Sequence, residues 1–293
     1  MTAPMRWQVG DVTITRVEEM LVPGLPIGVM FGDFESGDLE RHRWLERYVG
    51  DNETMPLSFH TYAVAAGERR VLVDTCCGNA KPRTGLTGGM FGGLDTPFLD
   101  RLAEAGFPAE EVDTVICTHL HVDHVGWNTR LDGDRWVPTF PNARYLFVDR
   151  DFEYWADRDE EMHAASYADS VRPVHEAGLV DLVPPDHAVS AEIRLVPTPG
   201  HTPGHASVCI ESAGASAVVT GDLAHHPLQL AIPERSSFAD TDGELAARTR
   251  NEFVDAFAGT GTLVLGTHFW PPAGLLDMEG GGCILHETPG SPA

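Results

Sequence analysis

Short apolar, β-branched runs recur along the chain, separated by glycine, proline and charged residues. DVTITRV (11–17), TYAVAA (61–66), RRVLVD (69–74), DTVICT (113–118), ARYLFV (143–148), EIRLVP (192–197), ASVCIE (206–211), SAVVTG (216–221) and TLVLGT (262–267) predict strands. Between them the pattern turns helical. Asp95 is placed to cap a helix running through PFLDRLAEAG to Gly106, and Asp242 to cap GELAARTRNEFVDAFAG, ending at Gly259. Two batches of strands with helices interspersed predict a layered α/β (α+β) fold. With no repeat and no break in composition, residues 1–293 are expected to form one domain. Two stretches fall outside the pattern: residues 20–60, rich in Gly, Pro and large apolar side chains, and residues 78–95, which carry six glycines. Loops of this length are usually functional or disordered, and their apolar content predicts lids or active-site loops.

Charge narrows the partners. The formal net charge is −24, which repels phosphate backbones and anionic lipid and so argues against nucleic-acid and membrane-surface roles. The five cysteines form no CxxC pair, as expected of a chain kept reduced inside the cell. The N-terminal MTAPMRWQVGDVTITRVEE has no apolar core of signal-peptide length, and no run approaches a membrane span. A cytoplasmic location is expected.

The densest chemistry lies in THLHVDHVGW, residues 118–127, where His119, His121, Asp123 and His124 fall within six positions. At this composition a given position starts HxHxDH on the order of once in a hundred thousand. Adjacent imidazolium groups repel one another and buried neutral ones need partners; a metal ion removes both costs. His119 and His121, two apart on extended backbone after the strand DTVICT, point to one side and suit one metal. Asp123 and His124 follow as the chain turns, and suit a neighbouring one, while Gly126 lets the turn pack closely. The order strand, turn, ligand recurs in TPGHTPGH (His201, His205), GDLAHH (Asp222) and GTHFW (His268), so these residues are expected to face one cleft.

HLHVDH, GHTPGH, the GD at 221–222 and the late GTH together resemble the ordered motifs of the metallo-β-lactamase superfamily. The resemblance implies a four-layer αβ/βα sandwich with two metals at one edge. It assigns His119, His121 and His201 to the first metal, Asp123, His124 and His268 to the second, and Asp222 to a bridge between them. Asp74 and His205 are then braces behind the ligands. The cofactors implied are two divalent ions, zinc first, with Mn, Fe or Co as alternatives. The reaction implied is hydrolysis by a metal-bridging hydroxide, with Asp123, Asp222 and His225 as candidate catalytic residues.

Zinc β-lactamases are secreted and carry cysteine where Asp222 stands, and the superfamily's nucleases need a basic track. Both are disfavoured. Lactonases acting on acyl-homoserine lactones are the nearest comparison, but they place a tyrosine three residues after the bridging aspartate, where this chain has His225. GDLAHHPLQL is more similar to the methyl parathion hydrolase branch, which cleaves phosphotriesters. Persulfide dioxygenases share much of the motif with a single iron, but the full second set, His124 and His268 included, favours two metals. His226 is expected at the surface. Trp127 and Trp270, beside ligands, are candidates for either core packing or substrate contact. The apolar residues 25–34 with Met90 and Phe91 predict a hydrophobic pocket for a small, neutral, moderately apolar ester or lactone. The acidic surface and the 20–60 segment would also permit a homodimer.

Overall fold

Each of the nine apolar runs contains a strand in a computed structural model, which describes residues 4–156, 158 and 161–292. The strands are β1 (Met5–Val9), β2 (Val12–Pro26), β3 (Thr54–Ala66), β4 (Arg69–Val73), β5 (Thr114–Ile116), β6 (Thr129–Asp132), β7 (Arg135–Pro138), β8 (Arg144–Val148), β9 (Val180–Val183), β10 (Ile193–Pro197), β11 (Ala206–Ser212), β12 (Ala215–Val219), β13 (Leu263–Leu265), β14 (Ala273–Glu279), β15 (Gly282–Glu287) and β16 (Ser291–Pro292). One sheet has the order β16-β1-β2-β3-β4-β5-β8-β9, a second runs from β10 to β15, and β6 with β7 forms a separate hairpin. The neighbours β4, β5, β8 and β9 pair in parallel, as do β12 and β13.

Alternation along each strand sends neighbouring side chains to opposite faces, and here both faces are covered. Val9, Ile14, Val64, Val71 and Ile116 of the first sheet meet Ile193, Val208, Val219 and Leu265 of the second. On the outer side of the first sheet, Ala63, Leu72, Val115 and Tyr145 pack against Phe98 and Leu102 of helix Phe98–Glu104 and Val174 of helix Arg172–Glu176. Beyond the second sheet, Val218, Val264 and Leu276 pack against Phe253 and Val254 of helix Gly243–Phe257. The result is the four-layer αβ/βα sandwich. It explains why the strand sequences are continuously apolar rather than alternating.

Several boundaries differ from the sequence reading. β2 runs on to Pro26 and β3 starts at Thr54, so the two ends of the 20–60 segment are ladder rather than loop. Only the middle carries short helices, Ile27–Met30 and Ser36–Arg41, and it packs Ile27 and Phe31 against Leu57 and Phe59. Within 78–95 the residues Gly85–Phe91 are helical. Asp242 does cap its helix, accepting from Leu245 N at 2.9 Å. Asp95 caps nothing: that helix starts at Phe98 after Pro97, because Thr96 N is drawn into a bond with Asn79 Oδ1 at 2.8 Å. All five cysteines are free and buried. Among the described residues no helix is long and apolar enough to cross a membrane.

Candidate metal centre

The C-terminal ends of β4, β5, β10, β12 and β13 each lead straight into a segment that carries a candidate ligand or its brace. Close approach of these segments needs two glycines. A side chain at Gly126 would lie 1.9 Å from the Cys77 carbonyl oxygen. Gly221 has φ +56° and would place a Cβ 2.5 Å from His205 Nε2, so only glycine turns the chain there without displacing Asp222.

All seven predicted ligands converge, and all but Asp123 are buried. Their donor atoms fall in two groups: His119, His121, His201 and Asp222, then Asp123, His124 and His268, with the atoms of each group within 4.8 Å of one another. The carboxylate of Asp222 divides between the groups. Its Oδ2 lies 3.4 Å from His201 Nε2 and 3.7 Å from His119 Nε2, while Oδ1 lies 3.0 Å from His268 Nε2 and 3.2 Å from His124 Nε2. Asp123 Oδ2 is 3.6 Å from His268 Nε2 and 3.7 Å from His124 Nε2.

Partners behind the rings set which nitrogen faces inward. His124 Nδ1 donates to Asp74 Oδ2 at 2.9 Å, and Asp74 Oδ1 accepts from Thr118 N at 2.8 Å. His268 Nδ1 donates to the Ser58 carbonyl at 2.9 Å, and His119 Nδ1 meets Thr118 Oγ1 at 3.1 Å. His205 is not a ligand. Its Nδ1 donates to the Thr198 carbonyl at 3.0 Å, and its Nε2 accepts from Asp222 N at 2.8 Å, holding the bridge residue from behind. Burial keeps this imidazole neutral, with its pKa lowered to about 3.

The donor set suits cations. His201 Nε2 and His121 Nδ1 face each other at 2.9 Å, and His268 Nε2 and His124 Nε2 at 3.3 Å. His119 Nε2 is buried without a hydrogen-bond partner. Burial would depress His124, but Asp222, Asp123 and Asp74 more than offset it and push its pKa well up. Burial and the neighbouring His124 and His121 push His119 well down. The carboxylates thus demand positive charge at this spot, and a divalent ion would supply it without crowding protons onto adjacent rings. The ligand groups contain no thiolate. Cys76 and Cys77 lie nearby, but burial first and Glu19 second push both thiols well up.

The centre floors a cavity of about 430 Å³. Leu25, Met30, Leu57, Phe59, Met90, Phe91 and Val122, which pack as one cluster, form its apolar wall, and Tyr154, Trp155 and Phe238 line it as well. No lysine or arginine is among its described lining residues. His225 lines it too, with Nε2 3.2 Å from Asp222 Oδ2 and its ring stacked on His268.

His226 does not lie at the surface. The chain after Asp222 is not extended, passing from a tight turn at Gly221–Leu223 into helix Leu228–Ala231. His226 is thereby buried, its Nε2 donating to the Tyr48 carbonyl at 3.1 Å and its Nδ1 accepting from Leu228 N at 3.1 Å. Trp127 is core: it stacks on Phe98 and donates to Glu19 Oε1 at 2.7 Å. Trp270 stacks beneath the Arg16 guanidinium instead of lining the cavity.

Sequence reasoning missed three carboxylates. Glu19 gathers Cys77 N (2.7 Å), Gly78 N (3.3 Å) and Trp127 behind the cluster. Asp151 joins two ligand loops, accepting from Leu120 N at 3.1 Å and Gly204 N at 2.9 Å. Asp240 accepts from His201 Nδ1 at 3.0 Å. Only Asp151 carried a readable signal, since ARYLFVDRD repeats the order strand, turn, acid that singled out Asp222.

Comparison with known proteins finds relatives in sequence and in fold. The family model described as metallo-beta-lactamase superfamily matches residues 56–268. An N-acyl homoserine lactonase from a Bacillus species is 26% identical over 220 residues, covering 70% of this chain and 78% of the relative. One from Bacillus thuringiensis is 26% identical over 196 residues, 63% of this chain and 70% of its own. Among solved structures, the hydrolase AbOPH, described as being in the beta lactamase superfamily, superposes with a TM-score of 0.80 at 24% identity, covering 98% of both chains. AidC, described as a dizinc quorum-quenching lactonase, superposes with a TM-score of 0.78 at 18% identity, again over 98% of both chains.

Proposed function

Because the chain belongs to the metallo-β-lactamase superfamily, we propose that it is a dinuclear metal-dependent hydrolase opening lactones or cleaving related carboxylic esters. One observation carries the reading: two adjoining groups of ligand atoms, shared by the two oxygens of Asp222, lie on the floor of an apolar cavity. His119, His121 and His201 would hold one cation, Asp123, His124 and His268 the other, and Asp222 would span both. Two such ions, zinc before Mn, Fe or Co on this donor set, would polarise a carbonyl and lower the pKa of captured water toward about 7.

The chain's own groups do the rest. Asp74, Ser58 and Thr118 fix their histidines with Nε2 inward, so the donors are arranged before any ligand arrives. The apolar wall from Leu25 to Val122 takes an apolar arm and excludes water around the reacting bond. With no lysine or arginine among its described lining residues, the cavity offers an anionic ester no side-chain counter-charge away from the cations themselves, which favours a neutral substrate. His225, at the cavity floor, is placed to hold a proton at Nε2 for the departing oxygen. The homology of the lactonases named above supports the substrate class.

A second reading is cleavage of neutral phosphotriesters. The observation favouring it is again His225, at the position where the lactonase pattern has tyrosine, in a cavity with no lysine or arginine among its described lining residues. One experiment separates the readings: zinc-loaded protein is screened against lactones, aryl esters, phosphotriesters and β-lactams, alongside measured metal content. Lactone or ester turnover with two metals per chain is the expected result. Full activity at one metal per chain refutes the dinuclear form, and turnover of phosphotriesters alone selects the second reading. Oxygen uptake with a persulfide and no hydrolysis would replace both.

A further inference from the structure

Imidazoles of the donor cluster are braced by chemically different groups. His119 and His268 lean on neutral oxygens, those of Thr118 and the Ser58 backbone. His124 leans on the carboxylate of Asp74 at 2.9 Å and His201 on that of Asp240 at 3.0 Å. Each donor group therefore contains at least one imidazole backed by a carboxylate. We infer that Asp240 is a positioning residue that fixes His201 with Nε2 inward and strengthens it as a ligand, serving the His119, His121, His201 and Asp222 group as Asp74 serves the other. The inference rests on the two-cation reading of the site.

The surroundings commit Asp240 to this task. Its side chain is 1% exposed. Oδ2 accepts from Ser237 N at 3.0 Å and from Arg250 Nη1 at 3.3 Å, which leaves Oδ1 aimed at His201. Arg250 is itself buried and anchored by the Pro233 carbonyl at 2.8 Å. The backbone repeats the link: Thr241 N donates to His201 O and Asp242 N to Gly200 O, both at 2.9 Å. An ionised carboxylate on Nδ1–H orients the ring and makes Nε2 a stronger donor.

The test is metal affinity, measured by Zn2+ competition with a chromogenic chelator and by the visible spectrum of the Co2+ form. In Asp240→Asn, which keeps the shape and loses the charge, one of the two equivalents should weaken about 10- to 100-fold while the other is unchanged. Asp74→Asn should weaken the complementary equivalent, and the double variant both. Arg250→Gln separates support of the loop from action on His201: it should lower thermal stability and leave both affinities intact. Equal affinities in Asp240→Asn and the unmodified protein would overturn the role of Asp240, as would an Arg250→Gln variant weakened at the same equivalent to the same degree. Fewer than two equivalents in the unmodified protein would instead overturn the two-cation reading and this inference with it.

Discussion

His225 and His226 are adjacent in sequence and opposite in circumstance. His226 has both ring nitrogens engaged, and burial lowers its pKa to about 4, so it is a fixed structural link. His225 is buried with Nδ1 unpartnered and Nε2 toward Asp222, at the cavity floor. If His225 delivers the leaving-group proton, His225→Ala should keep both metals and slow turnover by about 10²-fold for substrates with poor leaving groups. The loss should shrink as the leaving group improves, read from kcat/KM across an ester series. A loss independent of the leaving group would remove the proton-transfer role. Gly221 makes a second claim at this scale. Gly221→Ala meets both a positive φ and the His205 ring at 2.5 Å, so it should displace Asp222 and lower metal content and thermal stability together.

At the scale of elements, helix Asp149–Ala156 does two jobs with one turn of chain. Asp151 in its first turn holds Leu120 N and Gly204 N, stitching the loop after β5 to the loop after β10. Four residues on, Trp155 packs edge-on against His121 and lines the cavity with Tyr154. Asp151→Ala strands two buried amides and should cost about 2–4 kcal/mol of stability in chemical denaturation, with weaker metal binding because His121 and His201 lose their common support. Retained stability would mean that water or another acceptor replaces the carboxylate. The β2–β3 ribbon shows the limit of local reading. Its Gly- and Pro-rich outer end looks like loop in sequence, yet β2 pairs with β3 as far as Pro26 with Thr54, because the neighbouring strand supplies the hydrogen bonds.

For the whole molecule, the excess of acid extends to the cavity: the formal net charge is −24, and Asp123, Asp222 and Asp240 are among the described lining residues with no lysine or arginine. Two cations, Lys81 and Arg83, are instead buried in the glycine-rich segment. Lys81 donates to Thr129 Oγ1 at 2.6 Å, lies 3.7 Å from Asp169 and sits over the Trp136 ring, while Arg83 forms a two-pronged pair with the same Asp169. Burial lowers Lys81 to about 7, with Asp169 opposing the fall and Arg83 adding to it. The unfolded lysine keeps its proton to about pH 10.5. Between these values the unfolded chain binds more protons, so this group raises stability as pH rises and costs stability below pH 7. The unmodified protein should therefore gain about 2 kcal/mol relative to Lys81→Met between about pH 7 and pH 9, measured by urea unfolding at each pH. An unchanged difference would mean that Lys81 keeps its charge when folded.

What the sequence determined by itself was nine of the sixteen described strands and the ligand-type residues that follow several of them. Both are written in local pattern: continuous apolar runs in strands buried on two faces, and His or Asp at the turns that end them. What only the tertiary structure decided was how these residues are supported. Glu19, Asp151 and Asp240 lie 58, 53 and 39 residues from the atoms they hold at Cys77, Gly204 and His201, and no local pattern encodes a partner at such separations. The same holds for His226, whose burial depends on Tyr48, 178 positions away. Burial makes each of these polar groups costly unless paired, and the pairing is settled by sheets that bring distant strand ends to one edge.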